Sequence, residues 1–134
     1  MDGLATAHAV ILVVERDPHV RELERYFLQE AGFAVDFAED GLMALEQAKA
    51  VQPHILITEI LVPRLDGLSL CRRIKADPVT RDIKVLIFSI LLAEARAREA
   101  GADSFLRKPL AERRLVETVR ALIAARQPRE SMRA

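Results

Sequence analysis

The stretch Val10-Ile11-Leu12-Val13-Val14-Glu15-Arg16-Asp17-Pro18 decides the fold class. Five β-branched or aliphatic residues without polar alternation predict a strand buried on both faces, the pattern of a central strand in a parallel sheet. Asp17-Pro18 then starts a helix, with Asp17 as N-cap and Pro18 at the first helical position. Val20, Leu23, Phe27 and Ala31 recur along one face of that helix. Gly32 ends it.

The same alternation continues along the chain. Phe33, Val35 and Phe37 predict a second strand, and after Asp40-Gly41 comes a helix bearing Leu42, Leu45 and Ala48 that stops at Pro53. Ile55-Leu56-Ile57 is a third buried strand. The loop from Ile60 to Gly67 leads into a helix through Leu70 and Ile74, ended by Asp77-Pro78. Val85 to Phe88 make a fourth strand, Ala93 to Ala100 a short Ala-rich helix closed by Gly101, and Ser104-Phe105-Leu106 a fifth strand. After Lys108-Pro109 an amphipathic helix runs to about Arg126 with Leu115, Val119, Leu122 and Ile123 inward. Five strand–helix units in strict alternation predict an α/β fold, a five-stranded parallel sheet with right-handed crossovers and helices on both faces. The expected organisation is one domain over residues 9–126, an N-terminal extension of residues 1–8 and a polar tail of residues 127–134.

Composition agrees with a single domain: 134 residues, 51% hydrophobic and 30% charged, enough to bury a core without disulfides or a structural metal. The single cysteine, Cys71, forms no internal disulfide and is read as a small core residue. His8, His19 and His54 are separated in sequence and do not form a metal set. The longest apolar run, Ala9 to Val14, is too short to cross a bilayer, and the amino terminus has no positive charge before it, so no membrane association is expected and the cytoplasm is the expected compartment. Equal numbers of acidic and basic residues hide an asymmetry. Residues 1–67 carry 5 basic and 12 acidic side chains, and residues 68–134 carry 15 and 8. That distribution predicts oppositely charged faces that steer protein partners. Direct nucleic acid binding is not expected, because aromatics for base stacking are scarce and the arginines alternate with acids.

In open parallel sheets functional groups collect at the carboxyl ends of the strands, near the point where strand order reverses. That rule singles out Glu15, Arg16 and Asp17 after the first strand, Glu59 after the third, Ser89 after the fourth and Lys108 after the fifth.

From about Ala9 to Arg126 these residues resemble the receiver domain of two-component response regulators, in a flavodoxin-like (βα)5 three-layer sandwich. The likeness rests on the first strand with its following charged pair and on Pro63-Arg64-Leu65-Asp66-Gly67. Phe88-Ser89, Ala100-Gly101-Ala102-Asp103 and Leu106-Arg107-Lys108-Pro109 complete it. The resemblance implies that Glu59 stands at the phosphoacceptor position, four residues before the loop proline Pro63, and that Glu15 and Arg16 stand at the acidic-pair positions. It also implies that Ser89 is the hydroxyl residue receiving a phosphoryl oxygen, Phe105 the aromatic switch and Lys108 the pocket lysine, whose bond to Pro109 is usually cis in the family.

Two of these positions depart from the family pattern. Arg16 supplies no ligand for Mg²⁺, a hard cation that wants oxygen donors. With Arg16 in the pocket the charges of Glu15, Arg16, Glu59 and Lys108 cancel, and Arg16 either forks onto Glu15 or Glu59 in place of a metal or points into solvent. Glu59 is one methylene longer than the usual aspartate, which misplaces a nucleophile in a reaction that depends on positioning and on metal; the same length carries its carboxylate toward Ser89 and Lys108, imitating a phosphorylated aspartate. Asp17 is read as a cap, not a metal ligand. The segment from Ser89 to Ala100 is shorter than usual, and Ile90-Leu91-Leu92 replaces its small and polar residues, which predicts a displaced fourth helix.

The expected function is therefore a receiver-type signalling module, not an enzyme, that acts by protein–protein contact without Mg²⁺-dependent phosphorylation and without a cofactor. Its expected partner is a histidine kinase or another signalling protein, with a second copy of the chain as the other candidate. The contact surface is expected on the fourth and fifth strands and their helices, where Arg96, Arg98, Arg107, Arg113, Arg114 and Arg120 lie. The alternative is an active phosphoacceptor at Glu59 with metal held by Glu15 and Asp17 in a shifted register. A cofactor enzyme of this fold class lacks support, since no strand is followed by a Gly-rich phosphate loop.

Overall fold

The computed structural model describes residues 9–109 and 112–133. Five strands, β1 (Val10–Val14), β2 (Ala34–Ala38), β3 (Ile55–Thr58), β4 (Lys84–Ser89) and β5 (Ser104–Arg107), form one parallel sheet in the order β2-β1-β3-β4-β5. Strand order reverses at β1, between β2 and β3, which is where the carboxyl-end rule places a site. The helices are α1 (Pro18–Glu30), α2 (Gly41–Val51), α3 (Gly67–Ala76), α4 (Glu94–Glu99) and α5 (Glu112–Arg133). The proposed extension at residues 1–8 and Ala134 lie outside the described residues. None of the described helices is long and apolar enough to cross a membrane.

The period-two geometry of the strands divides the core into two layers. Ile11 and Val13 of β1, Ile55 and Ile57 of β3, and Leu86 and Phe88 of β4 point to one face, where Leu28 of α1 and Leu115, Val119 and Ile123 of α5 cover them. Leu12, Val14, Leu56, Val85 and Ile87 point to the other face, under Ala44 and Ala48 of α2, Leu70, Cys71 and Ile74 of α3, and Ala97 of α4. Cys71 is fully buried, and burial pushes its thiol up to about 11, so it is inert packing. Aspartates start three helices. Asp17, Asp40 and Asp66 accept hydrogen bonds from the backbone N–H of His19, Met43 and Ser69, satisfying donors that a helix start leaves open.

Three details differ from the sequence reading. Leu23 of α1 is 56% exposed, and the residues that α1 buries are Glu24 and Leu28. The face is rotated because Leu28, fully buried, anchors the helix on the sheet and brings Glu24, one turn earlier, inward with it. In α2 the buried positions are Ala44 and Ala48, while Leu42 is exposed; small residues there allow close approach to β1 and β2. The backbone of α5 stays helical to Arg133, past the expected end near Arg126. The fourth helix is short as expected. Its six residues have no side-chain cap, and only Ala97 within it is buried.

Candidate functional site

Backbone hydrogen bonds carry the strand ladders past their formal ends and so set the candidate residues side by side. Glu15 N–H donates to the carbonyl of Ala38 (3.1 Å), Glu59 N–H to that of Val14 (3.1 Å) and Lys108 N–H to that of Ser89 (2.8 Å). Gly67 closes the loop after Glu59 by donating its N–H to the carbonyl of Ile60 (2.9 Å). A Cβ at Gly67 would collide with the Glu59 carbonyl and stand 2.9 Å from Ile60 Cα, so only glycine lets the loop fold back this closely.

Glu59 is buried, and both of its carboxylate oxygens are taken by protein donors. Oε2 accepts from the Ser89 hydroxyl and from the backbone N–H of Ile60 (2.7 Å) and Leu61 (3.4 Å). Oε1 accepts from Ile90 N–H (3.2 Å) and from Lys108 Nζ (3.2 Å). Glu15 Oε1 takes a second bond from Lys108 Nζ, and Glu15 Oε2 accepts from Asp17 N–H (3.1 Å). Lys108 is thus clamped between two buried glutamates, with its ammonium 5.3 Å from the centre of the Phe88 ring and its bond to Pro109 cis. Burial raises the pKa of Glu59, but the Ser89 hydroxyl, the charge and hydrogen bond of Lys108 and the Ile60 amide outweigh it and hold the carboxyl below its ordinary value. Burial likewise lowers Lys108, yet the bond and charge of Glu15, with the charges of Glu59 and Glu24, leave it raised.

Glu15, Glu59, Ser89 and Lys108 therefore meet in one pocket. Arg16 does not join them. It is exposed and makes no ion pair among the described residues, so its guanidinium stays in water and the fork onto Glu15 or Glu59 does not form. The physical reason is that Lys108 already occupies both carboxylates, from the end of β5. Asp17 is exposed and caps α1, its Oδ1 accepting from the backbone N–H of His19 (2.9 Å). Phe105 is half-buried against the core layer of α2, α3 and α4.

Two residues of this region were not legible as site residues. Arg21 donates to the carbonyl oxygens of Glu15 (2.9 Å) and Arg16 (3.3 Å), tying the turn after β1 to α1. Glu24 is buried beside the pocket, and burial pushes its carboxyl up to about 8, with Lys108 lowering it and Glu15 and Glu59 adding to the rise. The available signal was its place between Val20 and Phe27 on the apolar side of α1.

A central β1 with a buried acidic side chain at its end, a second at the end of β3, a hydroxyl on the last residue of β4 and a lysine with a cis proline after β5 form one constellation. The family model for the response regulator receiver domain matches residues 11–120. The chain belongs to the response regulator receiver family. Among curated relatives, response regulator MprA of Mycobacterium bovis is 37% identical over 122 residues, covering 90% of this chain and 53% of the relative. The receiver chain thus spans about half the length of the curated relatives it matches. A putative response regulator from Chloroflexus aurantiacus superposes with a TM-score of 0.83 at 33% identity, covering 87% of this receiver and 98% of that chain. The signal receiver domain of a signal transduction histidine kinase from Syntrophus aciditrophicus gives 0.82 at 32% identity, over 87% and 91% of the two chains.

Proposed function

We propose that this receiver domain is a protein-binding signalling module held in one state by Glu59, without Mg²⁺-dependent phosphorylation of the pocket. The observation that carries this reading is the saturation of the Glu59 carboxylate. Its oxygens accept from Ser89, Lys108 and the amides of Ile60, Leu61 and Ile90, and those of Glu15 from Lys108 and Asp17. In the family resemblance Ser89 and Lys108 are the groups that meet a phosphoryl oxygen. Here the longer side chain brings a carboxylate to them directly, so Glu59 stands in for the phosphorylated aspartate.

Mg²⁺ does not fit this donor set. A hard divalent cation needs carboxylate oxygens free to ligate it, and each carboxylate of the pocket is engaged by Lys108 and by backbone donors. Phosphorylation of Glu59 would require its attacking oxygen to give up its donors, Ile90 N–H and Lys108 at Oε1 or Ser89 and the amides of Ile60 and Leu61 at Oε2, before it reached a phosphodonor.

A contact role is supported by the rim of the pocket. Leu61 and Ile90, whose amides bind Glu59, are half exposed, and Leu92 is 80% exposed, so apolar side chains face water where the state of Glu59 is read. The arginines at 96, 98, 107, 113, 114 and 120 are exposed, which suits an acidic partner such as a histidine kinase or another signalling protein. Incubation with acetyl phosphate and Mg²⁺, followed by intact mass spectrometry, tests the reading. The expected result is an unmodified protein; a gain of one phosphoryl group that disappears in Glu59→Gln would overturn it.

A further inference from the structure

A cavity of about 300 Å³ opens between α1, the end of β4 and the start of α5, on the sheet face opposite α2 and α3. Its walls are Val20, Phe27, Phe88 and Leu115, an apolar lining at the lower end of the size range of small-molecule sites. One wall is different. Glu24 lines the cavity, is only 4% exposed, and its Oε2 is buried without a hydrogen-bond partner among the described residues. A buried carboxyl oxygen left unpaired is costly, and native interiors seldom tolerate it unless another group supplies the missing bond.

The charge around the cavity narrows the identity of that group. Lys108 also lines it, but its ammonium is held by Glu15 and Glu59, so it does not neutralise Glu24 by direct contact. Glu112 is the other charged lining residue. The polar groups left to a ligand among the described residues are therefore two carboxyls, and the walls are aromatic and aliphatic.

We infer that this cavity binds a small hydrophobic ammonium ion, its apolar body against Val20, Phe27, Phe88 and Leu115 and its ammonium donating to Glu24 Oε2. The cavity shares Ile90 and Lys108 with the Glu59 pocket but is not lined by Glu59 itself, and the inference does not rest on the reading of Glu59 given above. Because burial pushes the empty Glu24 carboxyl up to about 8, it is mostly protonated at pH 7, and pairing with an ammonium ionises it. The proton passes to buffer. Binding at pH 7 should consequently release up to one proton, seen as a calorimetric heat that varies with the ionisation enthalpy of the buffer.

The test uses 2-phenylethylammonium as probe and 2-phenylethanol as the uncharged molecule of the same shape, followed by calorimetry and amide chemical shifts. The expected result is saturable binding of the amine with a Kd of about 0.1–1 mM, as suits a ligand of this size, with shifts centred on Val20, Glu24, Phe27, Phe88 and Leu115. Glu24→Gln should weaken the amine by about tenfold or more and leave the alcohol within about twofold. Leu23→Trp, at a lining position exposed enough to accept the larger ring, should obstruct the mouth and weaken both probes, which keeps the test available should Glu24→Gln not fold. The inference is overturned by equal affinity for amine and alcohol, by a Glu24→Gln variant that binds the amine unchanged, by shifts centred on Glu15, Glu59 and Ser89, or by no saturation up to about 10 mM.

Discussion

Replacing Lys108 with methionine removes the cation that bridges Glu15 and Glu59 and keeps much of the volume of the side chain. The side chains of Lys108, Glu15 and Glu59 are 11%, 5% and 6% exposed, so this is a buried cluster and not a surface pair. Breaking such a cluster by deleting one partner costs about 3–5 kcal/mol, because uncompensated charge stays buried. The contact of the ammonium with Phe88 adds up to about 1 kcal/mol. With a urea dependence of about 2 kcal/mol per molar for a chain of this size, the unfolding midpoint should fall by about 2 M at pH 7.5. The loss should also depend on pH with a definite sign. In the native protein Glu59 is held below its ordinary carboxylate value, so its contribution is present above that value and is lost as pH falls through the folded one. In Lys108→Met the burial contribution at Glu59 prevails, its carboxyl rises, and it neutralises on mild acidification. The difference between native and variant should therefore be largest at pH 7.5 and shrink toward pH 4.5. Urea titrations followed by circular dichroism at both pH values measure it, and a difference below about 1 kcal/mol at pH 7.5, or one independent of pH, would refute the buried-clamp argument.

Glu24→Gln should gain stability relative to the native protein as pH rises from 5 to 8.5. The raised folded pKa means that native Glu24 binds a proton more tightly than the unfolded chain does, so native stability falls across that window; thermal melts should show a difference of about 3–5 kcal/mol at the upper end. Arg16→Ala should change stability by less than about 0.5 kcal/mol in urea titrations, as expected for an exposed side chain without an ion pair, whereas a guanidinium forked onto Glu15 or Glu59 would cost several times more. Gly67→Ala should destabilise by about 1–3 kcal/mol, because its Cβ meets the backbone of Glu59 and Ile60; the same unfolding assay and the loss of amide dispersion around Glu59 report it.

Most of the fold was legible because its strands are buried on both faces and its helices are punctuated by chemistry. Val10–Val14 has no polar alternation, and Asp17-Pro18, Asp40-Gly41 and Asp66-Gly67 mark helix starts that the caps reproduce. The face of α1 was misread at Leu23 and Glu24, since periodicity counts apolar residues and gives a glutamate no inward weight. The backbone of α5 continues through Pro128, a residue that ordinarily ends or kinks a helix, so the sequence pattern places its end too early. At the site, topology alone brought Glu15, Glu59, Ser89 and Lys108 together, because all four lie at or just past the carboxyl ends of neighbouring strands. Which cation faces the two glutamates was not legible. Sequence places Arg16 next to Glu15 and Lys108 far away, while the β4–β5 ladder delivers Lys108 into the pocket and leaves Arg16 in water.

The central claim is that the Glu59 carboxylate already occupies the place of a phosphoryl group and leaves no room for a metal. Its most direct test is the two-dimensional amide spectrum of the protein recorded alone and then with millimolar Mg²⁺ and beryllofluoride, a mimic of the phosphoryl group. The account predicts that the amides of Glu15, Glu59, Ser89, Ile90 and Lys108 keep their positions throughout the titration. Saturable movement of those resonances would contradict it and would restore a metal-dependent phosphoacceptor to this pocket.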